Sequence, residues 1–178
     1  MWRNSKTRYG TASKLLHWLV ALMAFGLFGL GLWMVDLDYY HPWYHRGPEW
    51  HRGVGMLLMA ITLLRLVWMY LADKPLPSSH HRHWEVIFAR VVHIVLYILL
   101  FALGLSGYFM STADGRPLEV FSWFAVPSSG EWMENQEDIA GEIHKWLAYT
   151  LVATVGLHSI AALKHHLIDR DDTLSRML

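Results

Sequence analysis

Four stretches of the chain are almost continuously apolar, and the charged residues gather between them. These runs are Leu15–Val35, Val54–Ala72, Val91–Met110 and Trp146–Leu163. A helix needs about 20 apolar residues to cross the hydrocarbon core of a bilayer, and each run reaches or approaches that length. A single run of this kind can also be a helix in a soluble core, but four at this spacing favour a membrane. The pattern predicts an all-α, integral membrane four-helix bundle, with helices at approximately residues 13–35, 50–72, 84–111 and 139–167 of one domain over 1–178.

The composition supports a membrane protein and narrows its chemistry. Hydrophobic residues make up 54% of the chain and charged residues 17%, whereas a soluble domain has about 25% charged residues. The net charge is zero, so nothing indicates a nucleic-acid partner. Cysteine is absent, which excludes disulfides, iron–sulfur clusters and covalent attachment of haem. A metal or haem would therefore be held by histidine, methionine or carboxylate.

The charges between the runs predict the orientation. Eleven Lys and Arg residues fall on the side of the N-terminus and four on the opposite side. Positive charge is retained on the cytoplasmic side of membrane proteins, so both termini are predicted to be cytoplasmic. The first run is too long for the apolar part of a signal peptide and is expected to remain as a helix.

Five histidines fall within or at the ends of the predicted spans: His17, His51, His93, His144 and His158. Ionisable side chains are costly inside a membrane, so each one is a candidate functional residue. A lone histidine of this kind is more often a hydrogen-bonded or interfacial residue. The predicted topology, however, puts three of them near the inner face and two, His51 and His144, near the outer face.

The spacing in the fourth helix indicates two haem levels. His144 and His158 are fourteen residues apart, so they lie within about 40° of one face and roughly 21 Å apart along the axis. On the outer side His51 is the partner available to His144. On the inner side either His17 or His93 can face His158. Two imidazoles on one haem iron suit electron transfer, because no coordination position stays open for a ligand.

Positive side chains near these levels are candidate partners for haem propionates. Arg65 lies within the second span, and Arg52 and Lys145 each follow a proposed ligand. The alternatives are a snorkelling side chain for Arg65 and exposed end charges for the other two. Glycines near the proposed ligands would give clearance for a flat porphyrin, although small residues also serve ordinary helix packing in membranes.

The chain resembles the bacterial cytochrome b561 family over nearly its whole length. The resemblance rests on His17-Trp18, on His51 with Gly53 and Gly55, on His144, on Gly156-Leu157-His158, and on the tail Asp171–Leu178. It implies a multi-pass protein of the bacterial inner membrane with two b haems. Carried onto this chain, it implies that His17 and His158 ligate the inner haem and that His51 and His144 ligate the outer one.

The resemblance also implies the partners. Ubiquinone is the expected acceptor near the cytoplasmic side, and some members of the family are superoxide:ubiquinone oxidoreductases. His93 is then left over near the inner haem, where it could contact the quinone or donate a proton. Lys74 and His165 are further candidates for the quinone vicinity. The sequence identifies no catalytic residue.

Two other functions are consistent with the same helices. One is a haem-bearing anchor subunit that relays electrons from a partner dehydrogenase or hydrogenase to quinone. The other is a haem-free transporter that uses intramembrane histidines for protons or metal ions. The histidine groups in the loops, His41 with His45 and His80, His81 and His83, are candidate transition-metal sites, with ordinary exposed histidines as the plainer interpretation.

Overall fold

The computed structural model describes residues 1–73, 75–76 and 82–178 and contains four long helices. They are α1 (Thr11–Met34), α2 (Arg46–Leu71), α3 (His83–Ser111) and α4 (Gln136–Leu167). α2 and α4 begin earlier than expected, and both carry acidic residues in the first turn, where negative charge complements the helix dipole. α3 begins with a capping interaction in which the Glu85 carboxylate accepts the Arg82 backbone N–H at 2.9 Å.

All four helices are long and apolar enough to span a membrane. Their large apolar side chains point mainly outward: the exposed fraction is 68% for Leu22, 61% for Ile98 and 61% for Leu157. Apolar surface of this extent suits contact with lipid chains rather than with water. The predicted fold class, an all-α membrane protein of four spanning helices, is confirmed.

The helices pack as two close pairs around a small core at mid-depth. α1 packs on α2, and α3 packs on α4, while α2 and α3 make a less extensive contact. The core consists of one or two buried side chains from each helix: Val20, Leu58, Leu99, Leu100 and Leu151. Leu151 is halfway between His144 and His158 in sequence, so the core separates the two histidine levels.

Both ends of the chain lie at the same end of the bundle, here called the termini side; the opposite end is the loop side. The Trp18 Nε1–H donates to the carbonyl of Met177 at 2.8 Å, and Lys14 Nζ bonds the main-chain oxygen of Leu178. Asn4 Nδ2 donates to the carbonyl of Asp73 at 2.8 Å. The start and end of the chain are therefore tied to the helix ends on one face. That this face is cytoplasmic remains a prediction from the charges.

The connection between α3 and α4 on the loop side contains a short antiparallel hairpin, which the sequence pattern did not predict. Its strands are β1 (Leu118–Val120) and β2 (Phe124–Val126), with Val120 opposite Phe124. At the tip, Phe121 has φ +48°, which is unfavourable for a bulky residue. Its ring packs on Trp50 with the ring centroids 5.2 Å apart. The hairpin therefore covers the start of α2, next to His51.

Candidate haem-binding site

The polar and small residues of the bundle form two layers. The termini-side layer contains His17, Arg65, His93 and His158, and the loop-side layer contains Gly31, His51, Gly107 and His144. Each helix supplies one residue to each layer, and the two residues are fourteen positions apart. Four turns of helix bring such a pair back to nearly the same face, roughly 21 Å apart. The same spacing thus occurs in all four helices.

In the loop-side layer the rings of His51 and His144 face each other. Their centroids are 6.0 Å apart and their planes are inclined at 72°. Each ring lies against a glycine of the neighbouring helix: a Cβ added to Gly31 would be 3.3 Å from His51 Cε1, and one added to Gly107 would be 3.3 Å from His144 Cε1. The two glycines therefore let the helices approach the imidazoles closely.

In the termini-side layer His158 faces two histidines. The centroid of its ring is 6.4 Å from that of His17, at an interplanar angle of 70°. The centroid of His93 is nearer, at 5.2 Å, with an angle of 64°. His17 and His158 are partly buried, whereas His93 is exposed.

These separations can be compared with the spacing that an iron ion requires. With metal–nitrogen distances of about 2 Å, and ring nitrogens about 1.15 Å from their centroids, two imidazoles across one metal have centroids roughly 6.3 Å apart. The pairs His51–His144 and His17–His158 match this spacing, with similar ring angles. The pair His93–His158 is about 1 Å too close. The residues present thus fit two bis-imidazole sites.

The unpaired ring nitrogens and the open space beside the rings also support a bound cofactor in these layers. The Nδ1 atoms of His17 and His51 are buried and have no hydrogen-bond partner among the described residues. A buried nitrogen without a partner calls for an explanation, and a cofactor or ion bound in the same layer would supply one. A Cβ added to Gly55, one helical turn after His51 and on nearly the same face of α2, would meet nothing within 4 Å, so this glycine borders open space beside the loop-side layer. A flat macrocycle needs that clearance.

Two arginines near the layers have no acidic partner in the described part of the chain. Arg65 holds its guanidinium carbon 5.5 Å from the ring centroid of Tyr97 and lies within electrostatic range of His17 and His158. Arg52 directly follows His51 in α2. Lys145 differs, because its Nζ pairs with Glu142 at 2.7 Å. Arg52, Arg65 and Lys145 were predicted as propionate partners. Because Lys145 is already paired with Glu142, only the two arginines of this set are available to an anionic group.

Three residues were predicted to lie near the quinone: Lys74, His93 and His165. Lys74 lies outside the described residues, as do His80 and His81. His165 Nδ1 is 2.7 Å from Asp169 Oδ2 at the end of α4. His93 therefore remains the candidate that the structure brings next to a proposed ligand.

One group within the described residues resembles a metal site but is better explained by an ion pair. Ligand atoms of Glu85, His165 and Asp169 lie within 4.8 Å of one another. The ammonium of Lys164 bonds both carboxylates, at 2.9 Å from Glu85 and 2.7 Å from Asp169, so it already supplies the positive charge. Hydrogen bonds from Lys164 and His165 hold the pKa of Asp169 below its ordinary value.

Three features of the site were missed from the sequence. Ser106 Oγ lies 3.0 Å from His144 Nδ1, Gly107 lies against the same ring, and Phe121 occupies the space above Gly53. The fourteen-residue interval from His93 to Gly107 was a signal that could have identified the glycine. The other two contacts depend on how α3 and the hairpin pack, which no local pattern records.

The comparisons with known proteins agree with the resemblance. The family model described as prokaryotic cytochrome b561 matches residues 8–178. Cytochrome b561 homolog 2 of Escherichia coli (strain K12) is 47% identical over 98% of this chain and 93% of its own length. Probable superoxide oxidase CybB of Yersinia pestis is 28% identical over 92% of this chain and 91% of its own length. Cytochrome b561 homolog 1 of Escherichia coli (strain K12) is 25% identical over 96% and 97% of the two chains.

Four membrane-spanning helices with facing histidine pairs define an integral membrane cytochrome of the b type. The chain belongs to the prokaryotic cytochrome b561 family. It is accordingly a multi-pass bacterial membrane protein that binds b-type haem and takes part in electron transfer, and the resemblance read from the sequence is confirmed.

Proposed function

We propose that the chain binds two b haems and moves electrons from a donor on the loop side to ubiquinone near the termini side. His51 and His144 ligate the loop-side haem, and His17 and His158 ligate the termini-side haem. The loop side is the periplasmic face of the bacterial inner membrane, as the distribution of Lys and Arg predicts. The observation that carries this proposal is the spacing of the two histidine pairs, 6.0 and 6.4 Å between ring centroids.

The spacing supports His17 rather than His93 as the second ligand on the termini side. An iron ion between His93 and His158 would require their rings to move apart by about 1 Å from the observed 5.2 Å. His17 needs no such movement, and its buried Nδ1 has no other partner among the described residues. His93 then stays free for another role in the same layer.

Each bound haem supplies a reversible one-electron couple at its level of the membrane. The chain supplies the ligands, the spacing and a dry interior. α4 holds His144 and His158 roughly 21 Å apart along its axis. The buried side chains of Leu58, Leu99 and Leu151 exclude water between the levels. Arg65, which has no acidic partner in the described part of the chain, would neutralise a propionate of the termini-side haem, whereas Arg52 stays available to an anion on the loop side.

Reduction of a quinone to a quinol takes two electrons and two protons, so the acceptor site needs a proton donor. His93 is exposed and lies next to His158 without being needed as a ligand. It is therefore the best placed of the described residues to pass a proton to ubiquinone. Lys74 is a second candidate on the basis of sequence alone.

Superoxide is the candidate donor. Two superoxide anions would lose one electron each to become O₂, and one ubiquinone would take up both electrons and two protons to become ubiquinol. The relative from Yersinia pestis is named a probable superoxide oxidase, which supports this donor. An anion would be attracted by unpaired positive charge. Arg52 offers such charge beside His51, whereas Arg116 is neutralised by Asp114 and Lys145 by Glu142.

The first experiment counts haems in the purified protein and in single alanine variants. We expect two low-spin haems per chain, the loss of one in His51→Ala or His144→Ala, and the loss of the other in His17→Ala or His158→Ala. His93→Ala is the matched control, because it removes a ring that contacts His158 but should leave both haems bound. A His93→Ala protein with one haem would contradict the assignment of His17.

The second experiment measures ubiquinone reduction by the isolated protein with superoxide as donor. Turnover that falls in Arg52→Gln, with both haems still bound, would support a donor site on the loop side. If the dihaem protein reduces no quinone with superoxide, the proposed donor is wrong, and a relay from a partner dehydrogenase becomes the function to test.

A further inference from the structure

One ring nitrogen among the proposed ligands is held by a closed set of hydrogen bonds. His144 Nδ1 lies 3.0 Å from Ser106 Oγ and 3.1 Å from the carbonyl oxygen of Leu103. The Ser106 hydroxyl in turn donates to the same carbonyl at 3.0 Å. Two oxygen atoms from one turn of α3 thus contact one nitrogen of a ring that belongs to α4.

These contacts select one tautomer of the histidine. A neutral imidazole carries its proton on one nitrogen and a lone pair on the other. The Leu103 carbonyl can only accept a hydrogen bond, so a lone pair on Nδ1 would face the lone pairs of that oxygen. With the proton on Nδ1, the ring donates to the Leu103 carbonyl and to Ser106 Oγ, while the hydroxyl proton remains directed at Leu103. Nε2 then carries the lone pair that a metal ion requires.

Within the described residues this arrangement distinguishes His144 from His17 and His51. The Nδ1 atoms of His17 and His51 are buried and have no such partner in the described part of the chain. Ser106 is 7% exposed, so its hydroxyl is not shared with bulk water. The next residue, Gly107, lets the ring approach the backbone of α3, since a Cβ there would be 3.3 Å from His144 Cε1. The stretch 103–107 of α3 therefore holds a ring of α4, although α3 supplies no proposed ligand to this layer.

The geometry points to Ser106, acting with the Leu103 carbonyl, as the positioning residue that holds His144 in its Nδ1–H form and orients Nε2 toward the loop-side haem. This inference rests on the proposed function, in which His144 would hold the iron of that haem. A hydrogen bond from Nδ1–H makes an imidazole a stronger electron donor, which favours the ferric state. Ser106 should therefore lower the midpoint potential of the loop-side haem and strengthen its retention.

The test compares Ser106→Ala with two further variants in the full-length, haem-loaded protein. Ser106→Thr keeps a hydroxyl at the same position. Thr150→Ala is the matched control, because it removes an α4 hydroxyl whose one partner among the described residues is the Trp146 carbonyl of its own helix, at 2.8 Å. Spectroscopic redox titration gives the potential of each haem, and transfer of haem to an excess of apomyoglobin gives the rate of loss.

We expect Ser106→Ala to raise the potential of the loop-side haem and to speed its loss by on the order of tenfold, the lower end for residues that support a metal ligand. The other haem should keep its potential, Ser106→Thr should restore both properties, and Thr150→Ala should change neither. A Ser106→Ala protein whose loop-side potential equals that of the wild type would overturn the positioning role, even if its yield or stability were lower.

The failure of this inference and that of the proposed function are distinguishable. If His144→Ala loses one haem but Ser106→Ala leaves the potential unchanged, His144 is a ligand and the positioning role is wrong. If His144→Ala keeps both haems, His144 is not a haem ligand, and Ser106 then has no ligand to position.

Discussion

Replacing Gly53 by alanine should reveal how tightly the hairpin covers the start of α2. Gly53 is buried, two residues after His51. A Cβ at this position would lie 2.7 Å from both Cε2 and Cζ of Phe121 and 3.0 Å from Cε1. Distances this short cannot be tolerated, so either the Phe121 ring or the helix must move. Because Phe121 already has an unfavourable positive φ, its backbone offers little room for adjustment.

Two opposing effects set the size of the change. Extra atoms in a packed site cost typically about 1–3 kcal/mol. Alanine in place of glycine inside a helix contributes about 0.5–1 kcal/mol of stability. We therefore expect Gly53→Ala to lower the free energy of unfolding by about 0.5–2 kcal/mol, because overpacking against the ring outweighs helix propensity. In a Phe121→Ala background only the helix gain remains, so the same change should stabilise by about 0.5–1 kcal/mol.

The assay is reversible unfolding in detergent, followed by helical circular dichroism, for the four proteins of the double-mutant cycle. Gly26→Ala in α1 is the matched control, since a Cβ at Gly26 meets nothing within 4 Å and should be neutral or slightly stabilising. The reasoning is refuted if Gly53→Ala is as harmless as Gly26→Ala. It is also refuted if the penalty is the same with and without the Phe121 ring, because the cycle would then show no coupling between the two residues.

Two further predictions concern the histidine pairs and the termini side. The ring planes of the proposed ligand pairs are inclined at 72° and 70°, so both ferric haems should give strongly anisotropic low-spin EPR signals rather than rhombic ones. The pKa of Asp169 is lowered chiefly by its hydrogen bond from Lys164, so its carboxylate stabilises the fold above its ordinary pKa of 3.8 and loses this effect as pH falls through the lowered value. The melting temperature of Asp169→Asn should thus stay below that of the wild type from pH 7 to pH 5, and a difference that vanished by pH 5 would contradict the lowered pKa.

The helices and their number could be predicted from the sequence because lipid imposes a simple rule. A backbone in hydrocarbon must satisfy its own hydrogen bonds, so a long apolar run has to form a helix whatever its neighbours are. The predicted ends lie within four residues of those observed, for example residue 50 against Arg46 for α2. The periodicity of the helix likewise puts His144 and His158 on one face without knowledge of packing.

The partners of each side chain were decided by the tertiary structure. Depth alone allowed either His17 or His93 opposite His158, and only the packing of α1 and α3 against α4 sets the centroid distances at 6.4 and 5.2 Å. The hydrogen bonds that join His144 to Ser106 and to the Leu103 carbonyl link residues about 40 positions apart, and a local pattern carries no information on such pairs. The sequence by itself thus determined the four spans, their apolar surfaces and the two levels of histidines. Which rings face each other, and which backbone atoms hold them, follow from close packing between helices, because such contacts depend on the shapes of side chains distant in sequence.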